Sequence, residues 1–156
     1  MRNQAKYLVS ACLCGVPCRY DGKSAKGKRT KKLFRSGQAI PFCPEVLGGL
    51  SIPRDKAEII GGDGSKVLDG SAMVISQKGE DLTPFFLRGA ITSLNIASKF
   101  KIRKAVMKKN SPSCGFGRIK RKGKLVKGDG VTTALFKRAG IKVVENKQLR
   151  MGAVTS

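Results

Sequence analysis

Short, unbroken apolar runs alternate along this chain with longer stretches in which apolar residues recur every three or four positions. Tyr7-Leu8-Val9, Ala39-Ile40-Pro41-Phe42, Ala72-Met73-Val74-Ile75, Lys104-Ala105-Val106-Met107 and Ile141-Lys142-Val143-Val144 are of the first kind. Runs this short and this apolar suit strands buried on both faces. Between them, residues 30–34 predict a short basic helix. Thr83-Pro84 predicts a helix start, with Thr83 as N-cap and Pro84 in the first turn. The residues that follow put Phe86, Ala90, Leu94 and Ala97 on one face. Asp129 is placed to cap a helix through Val131, Leu135 and Arg138, with Gly140 as its stop. Strand alternating with helix predicts one α/β domain over residues 1–156: three layers, a mainly parallel sheet, Rossmann-like. Residues 61–70, rich in Gly and Asp, read as a surface loop. A basic insertion or hairpin is expected near residues 116–128, carrying Arg118, Lys120, Arg121, Lys122, Lys124 and Lys127. There is no internal repeat and no linker.

Composition narrows the chemistry. The 156 residues are 40% hydrophobic, enough for a packed core. No stretch reaches the ~20 apolar residues that a membrane-spanning helix needs. The opening segment, Met1 to Lys6, runs into Tyr7–Leu13 and then into cysteines and Gly, not a cleavage site, so a cytoplasmic, reducing location is expected. His is absent altogether. That removes Cys-His proteases, Ser-His-Asp hydrolases and Cys/His zinc fingers, and leaves acid–base work to carboxylates, hydroxyls, Lys, Tyr or Cys. The net charge of +22 attracts anions such as RNA, nucleotides or other phosphates, against the plainer reading of a solvated basic surface. On the predicted strand order, residues 26–35, 99–109 and 118–127 surround the binding crevice.

The five cysteines carry the strongest signal. Cys12, Cys14 and Cys18 lie in one turn-rich segment, Ser10 to Gly22, while Cys43 and Cys114 sit in Cys43-Pro44-Glu45 and Ser111-Pro112-Ser113-Cys114-Gly115. Gly, Pro and polar neighbours mark loops that present a side chain. An odd number of thiols in a reducing compartment argues against a disulfide framework and for metal binding or catalysis. Cys12, Cys43 and Cys114 each follow a predicted strand, and in parallel sheets the carboxyl ends of the strands share the ligand-binding edge. Spacing identifies no standard site. Cys12 and Cys14 are one residue apart, Cys14 and Cys18 three, and no second knuckle exists. Thiolate metal binding leads, with reactive or merely buried thiols as the alternatives.

Five motifs occur together: Ser10-Ala11-Cys12-Leu13 through Cys18-Arg19-Tyr20-Asp21-Gly22; Cys43-Pro44-Glu45 with Gly48-Gly49-Leu50 and Pro53-Arg54; Ala57-Glu58-Ile59 with Gly61-Gly62; residues 111–115; and Gly128 with Gly130-Val131-Thr132. In these the chain resembles the thiouracil desulfurase family over nearly its whole length. The resemblance implies a [4Fe–4S] cluster held by three cysteines, with the fourth iron open to the sulfur of a thiolated base. It implies hydrolytic, non-redox cleavage of the carbon–sulfur bond. Carried onto this chain, the ligands are Cys12, Cys18 and Cys114, with Cys43 and Cys14 as weaker candidates; Cys14 departs from the family, which has an apolar residue there. Glu45 matches the family's acid–base carboxylate and Ser111 a proton-relaying hydroxyl. Arg19, Tyr20, Arg54 and Ser113 are candidate substrate contacts.

Each of these residues has a plainer role. Glu45 and Arg54 can be salt-bridge partners, Ser111 and Ser113 can bond their own turn, and Arg19-Tyr20-Asp21 can simply shape a turn with Gly22. Three functions compete. The first is a desulfidase acting on a thiolated pyrimidine, as thiouracil, 4-thiouridine monophosphate or thiolated tRNA. The second is a basic RNA-binding module with Cys-bound structural zinc. The third is a cysteine-dependent sulfur carrier. No Gly-rich dinucleotide fingerprint or P-loop is present.

Overall fold

The computed structural model describes residues 5–25 and 27–149. Met1–Gln4 and Lys26 therefore lie outside the described residues. The elements run β1 Tyr7–Ser10, α1 Lys28–Arg35, β2 Ala39–Phe42, α2 Pro44–Leu47, β3 Ala57–Ile60, α3 Gly64–Leu68, β4 Met73–Ser76, α4 Thr83–Lys99, β5 Lys104–Val106, β6 Arg118–Arg121, β7 Lys124–Lys127, α5 Val131–Arg138 and β8 Lys142–Val144.

Four strands form one parallel sheet in the order β2-β1-β5-β8. β1 is buried along its length, and its alternate side chains enter different cores. Tyr7 and Val9 pack with Leu33 of α1 on one face, while Leu8 packs with Phe42, Ala97 of α4 and Phe136 of α5 on the other. Two faces covered by helices make the fold α/β and three-layered, as the apolar runs predict. The chain steps from β1 outward to β2 and then back across to β5. The carboxyl ends of β1 and β5 therefore flank the point where the strand order reverses, the place where such sheets bind ligands.

Several local expectations differ from the structure. The run at residues 72–75 is not in the parallel sheet: β4 pairs antiparallel with β3, a strand the apolar pattern does not reveal because it is only partly buried. Thr83 is the first helical residue of α4 and not its cap; Leu82 is the N-cap, and the Thr83 hydroxyl instead accepts a bond from the Val74 N–H at 2.9 Å. Asp129 likewise stands one residue before the N-cap, Gly130. Its carboxylate accepts from the Gly117 N–H at 2.7 Å and pairs with Lys137 at 2.8 Å. The stretch at residues 61–70 is not all loop, since it holds α3, capped by the Asp63 carboxylate. β6 and β7 form a basic antiparallel hairpin.

Candidate functional site

Three loops meet at the carboxyl edge of the parallel sheet. The first leaves β1 as a tight 3₁₀ turn, Ala11–Cys14, ended by Gly15 at φ 94°, a left-handed value that suits glycine. The Cys12 carbonyl accepts from Ala25 N–H at 2.9 Å, and the Leu13 carbonyl accepts from the buried Thr30 hydroxyl at 2.6 Å. The second of these bonds fixes the loop to α1.

The second loop leaves β2 at Cys43 and turns at once into α2. A Cβ on Gly48 would stand 2.0 Å from the Phe85 carbonyl oxygen, and one on Gly89 1.9 Å from the Pro44 carbonyl oxygen. The two bare glycines let α2 lie against the backbone of α4, which sets the depth of Cys43 and Glu45.

The third loop, residues 107–115, follows β5. It is stacked on the start of α5: Val131 N–H donates to Pro112, Thr132 N–H to Ser113, and the Thr133 hydroxyl to the Cys114 carbonyl at 2.8 Å. The first N–H groups of α5, which no side chain caps, are thus satisfied by the turn that carries Cys114.

The loops enclose a cavity of about 480 Å³, within the range of small-ligand sites. Cys12, Cys18, Cys43 and Cys114 all line it. Cys14 does not; it is buried with Tyr7, Val9 and Leu33 beneath the loop, where burial raises its thiol to about 11. The Cys18 thiol hydrogen-bonds those of Cys12 and Cys43, and the first of these contacts raises it to about 11. Cys43 is pushed up by the same contact with Cys18 and by burial. Burial lifts Cys114 to about 12, against the lowering effect of the neighbouring Ser10 and Ser113 hydroxyls. All five cysteines are free thiols.

Such thiols lose their protons when a cation compensates the charge, so this donor set fits a thiolate-bound iron–sulfur group. Among the described residues no group of three Cys, Asp or Glu side chains is placed to hold a single metal ion.

Beside the thiols lies a polar chain. Glu45 Oε1 accepts from Arg54 Nε at 2.9 Å, and Glu45 Oε2 accepts from the Ser113 hydroxyl at 2.7 Å. Ser113 and Ser111 stand 3.4 Å apart, and Ser111 Oγ accepts the Cys114 N–H at 2.7 Å. Arg54 also donates from Nη2 to the Cys18 carbonyl at 2.9 Å and from Nη1 to that of Ser51 at 3.2 Å. Arg54, read from sequence as a substrate contact, is thus engaged with protein groups, while Ser113, read the same way, is the direct partner of Glu45.

Arg19 and Tyr20 line the outer wall. Arg19 is 3.9 Å from Asp21, and the Tyr20 ring lies under Arg19 and Lys56 at 5.9 and 5.4 Å. Lys56, Lys108, Lys109 and Lys120 complete a cationic rim. Burial lowers the ammonium of Lys108 below the ordinary lysine value. Of the basic segments expected around the crevice, residues 27–35 of the first are elsewhere: Lys28, Lys31, Lys32 and Arg35 enclose a separate surface hollow. Sequence reasoning gave no role to Ser10, a buried hydroxyl at the strand end that accepts the Lys108 N–H at 2.8 Å and reaches Cys114; its place as the first residue of the first thiol motif is the one signal it gives.

Residues 7–148 match the family model described as 2-thiouracil desulfurase. The chain is 44% identical over 145 residues to the uncharacterized protein YbbK of Bacillus subtilis strain 168, spanning 91% of this chain and 96% of that one. Among solved structures it resembles the [4Fe-4S]-dependent thiouracil desulfidase TudS, with a TM-score of 0.82, 41% identity and 97% of each chain covered.

Proposed function

Because the chain belongs to the 2-thiouracil desulfurase family, we propose that it is an iron–sulfur-dependent desulfidase that hydrolyses the C–S bond of a thiolated pyrimidine. Water replaces sulfur at the ring carbon, a carbonyl forms, and hydrosulfide leaves, with no net change in oxidation state. The observation that carries this reading is the convergence of four thiols, three of them buried, on one cavity beside a hydrogen-bonded carboxylate.

Cys12, Cys18 and Cys114 are the proposed ligands of a [4Fe–4S] cluster, with Cys43 as a fourth thiol lining the same cavity. When bound, such a cluster with one open iron supplies a soft Lewis acid for the thiocarbonyl sulfur. Glu45 is the proposed base for the attacking water. Ser113 carries one hydroxyl proton, and at 2.7 Å from Glu45 Oε2, against 3.6 Å from Cys114 Sγ, it gives that proton to the carboxylate. Ser111 then donates to Ser113; once Glu45 holds the proton taken from water, both hydroxyls can turn over and pass it the other way, from Glu45 through Ser113 and Ser111 to the leaving sulfur. Tyr20 and Arg19 form the proposed outer wall of the substrate site. The cationic rim suits a phosphate-bearing substrate such as 4-thiouridine monophosphate, or contact with RNA. Among the described residues no helix is long and apolar enough to cross a membrane, and the proposed location is the cytoplasm.

Protein purified without oxygen should be brown, carry about four iron and four sulfide per chain, and release sulfide from thiouracil or its nucleotide. A colourless protein that takes up only zinc, even after reconstitution with iron and sulfide, rules the proposal out in favour of a zinc module.

A further inference from the structure

We propose that Arg54 is the positioning residue of this site, holding the Glu45 carboxylate and the Cys18 loop in one frame and taking no part in binding substrate. The inference rests on the desulfidase reading, in which Glu45 is the base.

The Arg54 side chain is 7% exposed, and that of Glu45 15%. A guanidinium has five N–H donors in a fixed plane. Here Nε holds Glu45 Oε1 at 2.9 Å, Nη2 the Cys18 carbonyl at 2.9 Å and Nη1 the Ser51 carbonyl at 3.2 Å. The Arg54 backbone N–H donates to the Tyr20 carbonyl at 2.8 Å, tying the same residue to the Cys18 loop a second time. Arg54 and Arg19 both line the cavity, but Arg19 has 34% of its side chain exposed, against 7% for Arg54.

Arg54 therefore faces inward, with all three of its side-chain nitrogens engaged on three segments of this chain. One pinned oxygen removes the rotational freedom of the Glu45 carboxylate and aims the other at Ser113. Without Arg54 the carboxylate can turn, and the Cys18 carbonyl keeps, among the described residues, only the weak bond from the Cys43 thiol at 3.8 Å. Misplacement of a reacting group by about 1 Å costs on the order of 10²-fold in rate.

The test compares iron-loaded wild type with Arg54→Gln, Arg54→Lys, Glu45→Gln and the Arg54→Gln/Glu45→Gln double variant, with 2-thiouracil as substrate. Iron and sulfide content should stay at the wild-type level. In Arg54→Gln, kcat should fall ~10²-fold while KM stays within about twofold. Arg54→Lys should recover only part of the loss, because an ammonium cannot reproduce the planar fork. The double variant should be no slower than Glu45→Gln, since Arg54 acts through Glu45.

Infrared difference spectra, wild type minus Glu45→Gln and without substrate, should show the Glu45 carboxylate bands; in the Arg54→Gln background those bands should move. A raised KM with unchanged kcat overturns the proposal in favour of substrate binding. Cluster loss in both Arg54 variants, in proportion to activity lost, overturns it in favour of a scaffold for the Cys18 loop alone. Multiplicative losses in the double variant also overturn it. A wild type with full cluster and no sulfide release removes the desulfidase reading instead, and the carboxylate bands then still decide whether Arg54 fixes Glu45.

Discussion

Glu45 has both oxygens committed, one to a cation and one to a hydroxyl, and this shapes what single substitutions should do. Glu45→Gln keeps the volume and can keep one hydrogen bond, so iron content should hold while turnover falls at least ~10²-fold, the lower end of a general acid–base contribution. Unchanged turnover would remove Glu45 from the mechanism. The thiols separate by what they face. Cys12→Ser, Cys18→Ser and Cys114→Ser should each lose the cluster, since a hard alkoxide replaces a soft thiolate. Cys14→Ser should keep it, because that thiol lies in the core with Leu33 and not at the cavity. Iron per chain, measured on the four variants, decides; loss of iron in Cys14→Ser with retention in Cys12→Ser would reverse the assignment. At this scale the sequence names the chemical groups but not their pairing. Ser111 and Ser113 are indistinguishable as letters of one turn, and only the approach of α2 makes Ser113 the neighbour of Glu45, 68 positions away.

Elements carry these groups to one another by contacts that side chains would obstruct. A Cβ on Gly130 would lie 2.5 Å from the Ser113 carbonyl carbon and 2.8 Å from the Cys114 nitrogen. The backbone at Gly130, φ −68° and ψ 166°, is open to alanine, so the cost of Gly130→Ala is steric alone. It should destabilise the fold by about 1–3 kcal/mol, the usual range for overpacking, and lower turnover by pushing Ser113 and Cys114 off the start of α5. A thermal melt and a rate measurement check it; wild-type values in both would mean the turn yields freely. The same scale shows what was legible. β1, β2, β5 and β8 stand in the sequence as short apolar runs because the parallel sheet is covered on both faces. β4 is legible as the apolar run at residues 72–75, though not its antiparallel pairing, while β3, at the periphery with Ile60 exposed, carries a diluted pattern. The caps of α4 and α5 were displaced by one residue for a related reason. Thr83 and Asp129 are cap-type residues whose side chains are taken by Val74, Gly117 and Lys137, partners that only the tertiary fold supplies.

For the whole molecule the open question is what a net charge of +22 serves. Part of it lies at the cavity: Arg19, Lys56, Lys108, Lys109 and Lys120 line it, from four separate segments. The acidic residues there are already engaged: Glu45 holds Arg54, Asp55 stands 3.7 Å from Lys78, and the Glu58 carboxylate accepts the Lys122 N–H at 2.5 Å. The cavity is thus biased toward anions at its rim while its floor is thiol and apolar. Phosphate on a thiolated nucleotide gains from the long-range field on approach and from direct contacts on arrival. A neutral free base gains from neither. Hence 4-thiouridine monophosphate should show a higher kcat/KM than thiouracil. That advantage should shrink as salt rises to physiological strength, where the Debye length falls to ~8 Å. Charge reversal at the rim separates this from a general effect of the surface. Lys120→Glu should reduce the advantage, whereas Lys32→Glu, on α1 and away from the cavity, should leave most of it. Both substrates at two salt concentrations, with wild type and these two variants, make the measurement. Equal efficiency toward base and nucleotide at both salts would mean that the charge serves no substrate capture. An equal loss from both variants would mean that the field of the whole surface, not the rim, provides it.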